Sequence, residues 1–176
     1  MHHRIPRQPD SDQDSASRAD HDARLGAELA AVLAGARRRA VRDGDRHIDT
    51  AHLLHSLLET DPEVREACGD DGPRLARLFG YLVQRSIGYG LRWQSTVEDS
   101  GALPVMTVAE GYSPLAAAAL EHSAGRAARR GDDRPRGLDL LAALVTDPDA
   151  RAVEVLTRAG IDTEQLLKRL EPAPRG

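Results

Sequence analysis

Apolar residues recur along this chain at helical spacing, in blocks separated by turn formers. From Ala23 to Asp43, Leu25, Leu29, Val32, Leu33, Ala36 and Ala40 share one face of a first helix. Gly44 follows as a left-handed C-cap. Asp49 or Thr50 caps a second helix, whose Leu53, Leu54, Leu57 and Leu58 span so broad an arc that it should lie centrally. Asp61-Pro62 ends that helix and opens a third, from about Glu63 to Cys68. After the loop Gly69-Asp70-Asp71-Gly72, Leu75, Leu78, Leu82 and Val83 mark a fourth.

The same order then returns. Leu33, Ala40, Gly44 and the pair Leu53-Leu54 reappear 87 positions later as Leu120, Ala127, Gly131 and Leu140-Leu141. With one residue dropped, Asp61-Pro62, Arg65 and Leu75 map to Asp147-Pro148, Arg151 and Ile161. In the second copy, Ser113 and Pro114 open a helix ending at Gly131, Leu138 to Val145 form the buried one, and Pro148 starts a third. Gly160 breaks the third, and Asp162 or Thr163 caps the last, through Leu166 and Leu170.

The expected fold is therefore all-α: two tandem four-helix repeats related by a pseudo-two-fold axis. Its boundaries are a disordered leader over 1–22, repeat one over 23–86, a linker over 87–111, repeat two over 112–171 and a flexible tail over 172–176. The linker runs Leu91 to Val97, then a polar turn, then Pro104 to Val108, which is compatible with a short β-hairpin.

Composition agrees with helices. Aromatic residues make up only 3% of the chain against 40% apolar residues, so the core must be built from Leu, Val and Ala, which argues against a sheet protein. Cys68 is the sole cysteine, which excludes a disulfide framework or a thiolate metal cluster and fits a reducing, cytoplasmic setting. The net charge of −4 demands no polyanionic partner, and no apolar run reaches membrane length.

Ile48-Asp-Thr-Ala-His-Leu-Leu54, followed after Leu57-Leu58 by Asp61-Pro62, resembles the repeat of the N-terminal domain of Clp-type AAA+ unfoldases. In the second copy, Tyr112-Ser-Pro114, Leu120-Glu121, Val155-Leu156 and Ala159 to Asp162 are similar to that family's second repeat. The resemblance spans roughly Arg24 to Leu170. No G-x-x-x-x-G-K-[ST] loop accompanies it, so the expectation is a free-standing N-domain without an ATPase module. It implies a non-catalytic, cofactor-free binding module, an adaptor, regulator or decoy in Clp-dependent proteolysis. The implied partners are Clp ATPase or protease components, substrate proteins or cyclic peptides.

The residues carry this over unevenly. The glutamates that grip phosphoarginine in relatives fall on Ala51 and Leu138, and Asp139 is turned about 100° away on a helix, which argues against phosphoarginine binding here. The cyclic-peptide groove of relatives maps to Leu33, Ala34, Arg37, Tyr112, Leu120 and Glu121. The lysine usual there is Ala117, and the aromatic that opens the first repeat is Leu25.

Other constellations are weaker. His47, His52 and His55 invite a metal reading, but without Cys or carboxylate partners at ligand-like spacing the expectation is no metal, with His52 the family histidine that satisfies local partners. Arg37, Arg38, Arg39 and Arg42, repeated as Arg126, Arg129 and Arg130, suggest phosphate contacts. Their acidic neighbours Asp43, Asp45, Asp132 and Asp133 argue for a neutralised helix face. Trp93 either anchors a partner or packs the linker, and a scaffold touching a transcription factor or nucleic acid through the linker and arginines is the alternative function. Ser, His and Asp occur in no nucleophile elbow, so no active site is expected.

Overall fold

Two leucine-rich helices, one from each repeat, sit at the centre. The computed structural model describes residues 9–69, 72–86, 98 and 111–171. Within them, repeat one comprises α1 (Pro9–Asp43), α2 (Thr50–Thr60), α3 (Pro62–Ala67) and α4 (Gly72–Ser86). Repeat two comprises α5 (Pro114–Arg130), α6 (Gly137–Leu144), α7 (Arg151–Arg158) and α8 (Thr163–Leu170). Every residue of α2 from Thr50 to Leu58 is buried, and so are all but Leu138 in α6, as the broad apolar arcs require. Burying each of Leu53, Leu54, Leu57 and Leu58 contributes about 1.5–3 kcal/mol. Both central helices belong to one continuous cluster with Leu29, Leu33, Leu78, Leu82, Leu120 and Leu156, so the repeats share a core.

The duplication extends to hydrogen bonds. At the end of α1, Gly44 adopts φ 68° and the Asp45 amide reaches back to the Ala40 carbonyl at 2.9 Å. At the end of α5, Gly131 adopts φ 85° and the Asp132 amide reaches Ala127 at 2.9 Å. Only glycine takes this left-handed turn without strain, which is why both copies carry it.

Three expectations change. Helix α1 begins at Pro9, inside the stretch expected to be a disordered leader. The break falls instead at Gly26 (φ 79°, ψ 167°), the position equivalent to the Ser113 N-cap of α5, so Pro9 to Leu25 form a helix of their own ahead of the repeat. Proline fits a first helical position. Pro148 does not start a helix: the Asp147 carboxylate accepts the Asp149 amide at 2.9 Å, its carbonyl accepts Ala150, and this turn delays α7 to Arg151. Val83 is 49% exposed and contributes little to the face formed by Leu78 and Leu82. The expected hairpin and Trp93 lie outside the described residues.

Across the repeats, helix N-termini meet in pairs, and carboxylates fill the junctions. Where α2 meets α7, Glu98 is completely buried. It accepts the Thr50 amide (2.6 Å), the Thr50 hydroxyl (3.1 Å), the Ser113 hydroxyl (3.0 Å) and the Arg151 amide (3.3 Å). The Ala152 amide donates to Thr50 Oγ1 at 3.0 Å, and Arg151 reaches Asp49 at 2.9 Å. Where α3 meets α6, Asp61 caps α3 through the Glu63 amide at 2.9 Å and lies against Gly137, whose missing side chain is what allows the approach. Glu28 joins it, bonded to Asp61 and to the Gly137 amide, with its carboxyl raised by burial and by Asp61. Opposed helix dipoles would repel without these anions. A parallel bridge between Ile48 and Tyr112 ties the same region together, with bonds of 2.7 and 2.8 Å.

Burial pushes the Glu98 carboxyl above the usual carboxylate range, although the Thr50 amide pulls it down. Glu98→Ala leaves several buried donors unmet and is expected to cost about 2–4 kcal/mol in chemical denaturation. A raised folded-state value means that this group adds stability below the ordinary value of about 4.3 and loses it as pH rises through the folded value. The stability difference between the native chain and Glu98→Gln should therefore shift in favour of the native chain as pH is lowered from 7 towards 4.5. A flat difference would show that Glu98 titrates as an exposed glutamate.

Candidate functional site

Three of the six residues expected to line a groove between the first helices of the two repeats are core residues. Leu33, Leu120 and Tyr112 pack into the shared core, with exposures of 0, 3 and 5%. Ala34 and Arg37 are half-buried and Glu121 is exposed. The structure does bring Arg37 and Tyr112 together, the guanidinium donating to the phenol oxygen at 3.4 Å. This face thus presents polar groups over a closed core.

A cleft of about 420 Å³ opens elsewhere, between α3 of repeat one and α6 and α8 of repeat two. Leu138, Leu166, Leu170 and Ala67 line it together with Glu63, Glu66 and Arg169. Leu138 is a position to which the resemblance assigns a phosphoarginine-binding glutamate, and here the carboxylates in the cleft come from α3 instead. The cleft joins residues 71 to 107 positions apart, so no local pattern announces it; the i,i+3 pair Glu63 and Glu66 on a short helix is its only trace. Near it, Cys68 is 3% exposed, and burial pushes its thiol up to about 11 despite Arg169, so it stays protonated at neutral pH and is no nucleophile.

Three arginines of the two basic faces bind acidic partners. Arg39 binds Glu59, and Arg126 binds Glu171 at 3.0 Å and the Leu170 carbonyl at 3.1 Å. Arg130 holds Asp139 through two bonds of 2.7 Å and Asp132 at 2.6 Å. Asp139 also accepts the Arg136 amide at 2.8 Å, closing the start of α6.

The expectation that His52 lacks carboxylate neighbours needs correction. His52 is 1% exposed, its Nδ1 accepts the Asp49 amide at 3.0 Å, and Nε2 lies 2.9 Å from Asp45 and 3.6 Å from Asp43. The two aspartates precede it by seven and nine positions, and the Gly44 turn folds them back onto the ring. His55 is engaged differently, 3.4 Å from Glu59 and edge-on to Phe79 with ring centroids 6.0 Å apart. His47 is exposed.

These features define a class: a duplicated, all-helical module with a shared core and a cleft between its halves. No family model and no curated protein matches the chain. Solved structures match its fold. The N-terminal domain of the caseinolytic protease associated chaperone ClpD from Arabidopsis thaliana superposes with a TM-score of 0.59 at 19% identity, covering 84% of this chain and 92% of that one. A structure from preliminary investigations of a malarial protein secretion system matches with the same TM-score and coverage at 15% identity. The fold is that of a Clp N-terminal domain. No helix among the described residues is long and apolar enough to cross a membrane.

Burial alone would raise the Asp139 carboxyl, but Arg130, the Arg136 amide and Arg126 outweigh it and hold it below the usual range. A lowered folded-state value adds stability above the unfolded value, about 3.9, and loses it as pH falls through the folded one. Asp139→Asn should therefore cost about 2–3 kcal/mol at pH 7, discounted for the exposed Arg130, with the deficit shrinking in acid. Urea melts at pH 7 and pH 3 check both signs.

Proposed function

We propose that this chain is a non-catalytic protein- or peptide-binding module that acts in Clp-dependent proteolysis as an adaptor, regulator or sequestering factor. The observation that carries this reading is the cleft between α3, α6 and α8, on a fold shared with the N-terminal domain of a protease-associated chaperone. Its leucines give a ligand apolar area to bury, and Glu63, Glu66 and Arg169 at the same cleft select by charge. A peptide carrying apolar and basic residues fits that lining. The face of Ala34, Arg37 and Glu121, beside the closed core of Leu33, Tyr112 and Leu120, is the second contact surface. The scaffold reading through the arginine-rich helices has less support, because Arg39, Arg126 and Arg130 are each committed to an acidic partner.

The test is a titration of the purified chain against purified Clp ATPase and protease subunits. Saturable binding is expected, weakened at least about tenfold by Glu63→Lys with Glu66→Lys, both exposed positions whose exchange spares the core. Binding that survives this change but is lost with Arg37→Glu and Glu121→Lys would move the contact to the other face. Absence of binding to any Clp component, with salt-sensitive binding to nucleic acid instead, would contradict the reading.

A further inference from the structure

The internal duplication supplies a control for the cluster around His52. Asp43, Asp45 and His52 are equivalent to Arg130, Asp132 and Asp139 of repeat two, 87 positions on. The frames match closely. His52 and Asp139 both occupy the third position of a central helix, and each accepts the amide of the residue that caps it, Asp49 or Arg136. In repeat two the guanidinium of Arg130 sits between the two carboxylates and binds both. In repeat one the arginine's position is a carboxylate, Asp43, and an imidazole replaces the carboxylate of Asp139.

The ring's outer nitrogen is the unexplained atom. His52 Nε2 is buried and makes no hydrogen bond, with carboxylate oxygens at 2.9 and 3.6 Å. One nitrogen and two carboxylate oxygens converge there, all within 4.8 Å of one another. Ligands about 2.0–2.2 Å from a zinc-sized ion stand roughly 3–3.5 Å apart, and the two measured separations bracket that range.

We propose that Asp43, Asp45 and His52 form a divalent transition-metal site of the zinc class, in which the metal stands where repeat two uses the Arg130 cation. The imidazole selects against magnesium and calcium, which prefer all-oxygen sets. Asp45 is 39% exposed, which leaves the outer coordination positions to water. Coordination through Nε2 places the ring proton on Nδ1, and Asp49 Oδ1 lies 3.1 Å away to accept it, while the Asp49 amide gives up its bond to the ring. Arg151 anchors the other Asp49 oxygen at 2.9 Å, so a metal-supporting carboxylate is already in position. The ion would tie the end of α1 to the start of α2 and brace the segment in which Ile48 pairs with Tyr112.

The experiment is calorimetric titration of the metal-free full chain with Zn²⁺, compared with Asp43→Asn/Asp45→Asn and with Asp45→Asn alone. His2, His3, His21, His47 and His122 are equally present in all three proteins and control for incidental binding. One Zn²⁺ per chain is expected, resistant to millimolar Mg²⁺, raising the thermal midpoint and weakened more than about tenfold in each variant. Affinity equal in native chain and variants, or no binding at all, overturns the proposal. If the double variant fails to fold, the exposed Asp45→Asn change alone decides it, with circular dichroism confirming that its metal-free melt matches the native chain's.

Discussion

Convergence of helix N-termini is the constraint on which the rest of this structure depends. A pseudo-two-fold arrangement of the repeats brings the start of α2 against α7 and the start of α6 against α3. Each start carries unmet amides and a partial positive charge, so the junctions need buried anions. Glu98 fills one and Asp61 the other, with the exposed Glu28 beside it. Once filled, the junctions hold the two leucine-rich helices in one core, and that core fixes the spacing of α3, α6 and α8 around the cleft. Binding surface and dipole compensation thus have a common origin in the duplication.

Divergence between the copies is as informative as their likeness. The glycine caps at Gly44 and Gly131 are unchanged because the left-handed turn admits few alternatives. The charges around the turn differ between the copies. Repeat two uses an arginine between two aspartates, whereas repeat one gathers two aspartates on a histidine. The two junctions differ in the same manner, one filled from outside the helical repeats and one by a helix's own cap residue.

Much of the fold was legible because it rests on local physics. Helical spacing of leucines, Asp49 and Asp162 as caps, and glycine stops all act within a few residues, and the repeat offset checks each against its copy. What escaped was non-local. Glu98 lies in a linker that matches neither repeat, and nothing beside it in the chain marks it as the partner of Thr50 and Arg151. The burial of Leu33, Tyr112 and Leu120 has a similar cause, because only the packing of both repeats places them in the core. Pro148 misled because proline at a helix start and proline in a turn share one signature, and the Asp147 side chain decided between them.

The two repeats form one cooperative unit locked at their facing helix starts. Native-state hydrogen exchange measures this directly. The amides of Thr50, Arg151 and Ala152 are expected to exchange only through an opening as costly as that protecting the centres of α2 and α6, with both repeats opening together. Independent opening of one repeat, with those three amides exchanging as freely as the helix ends, would contradict it.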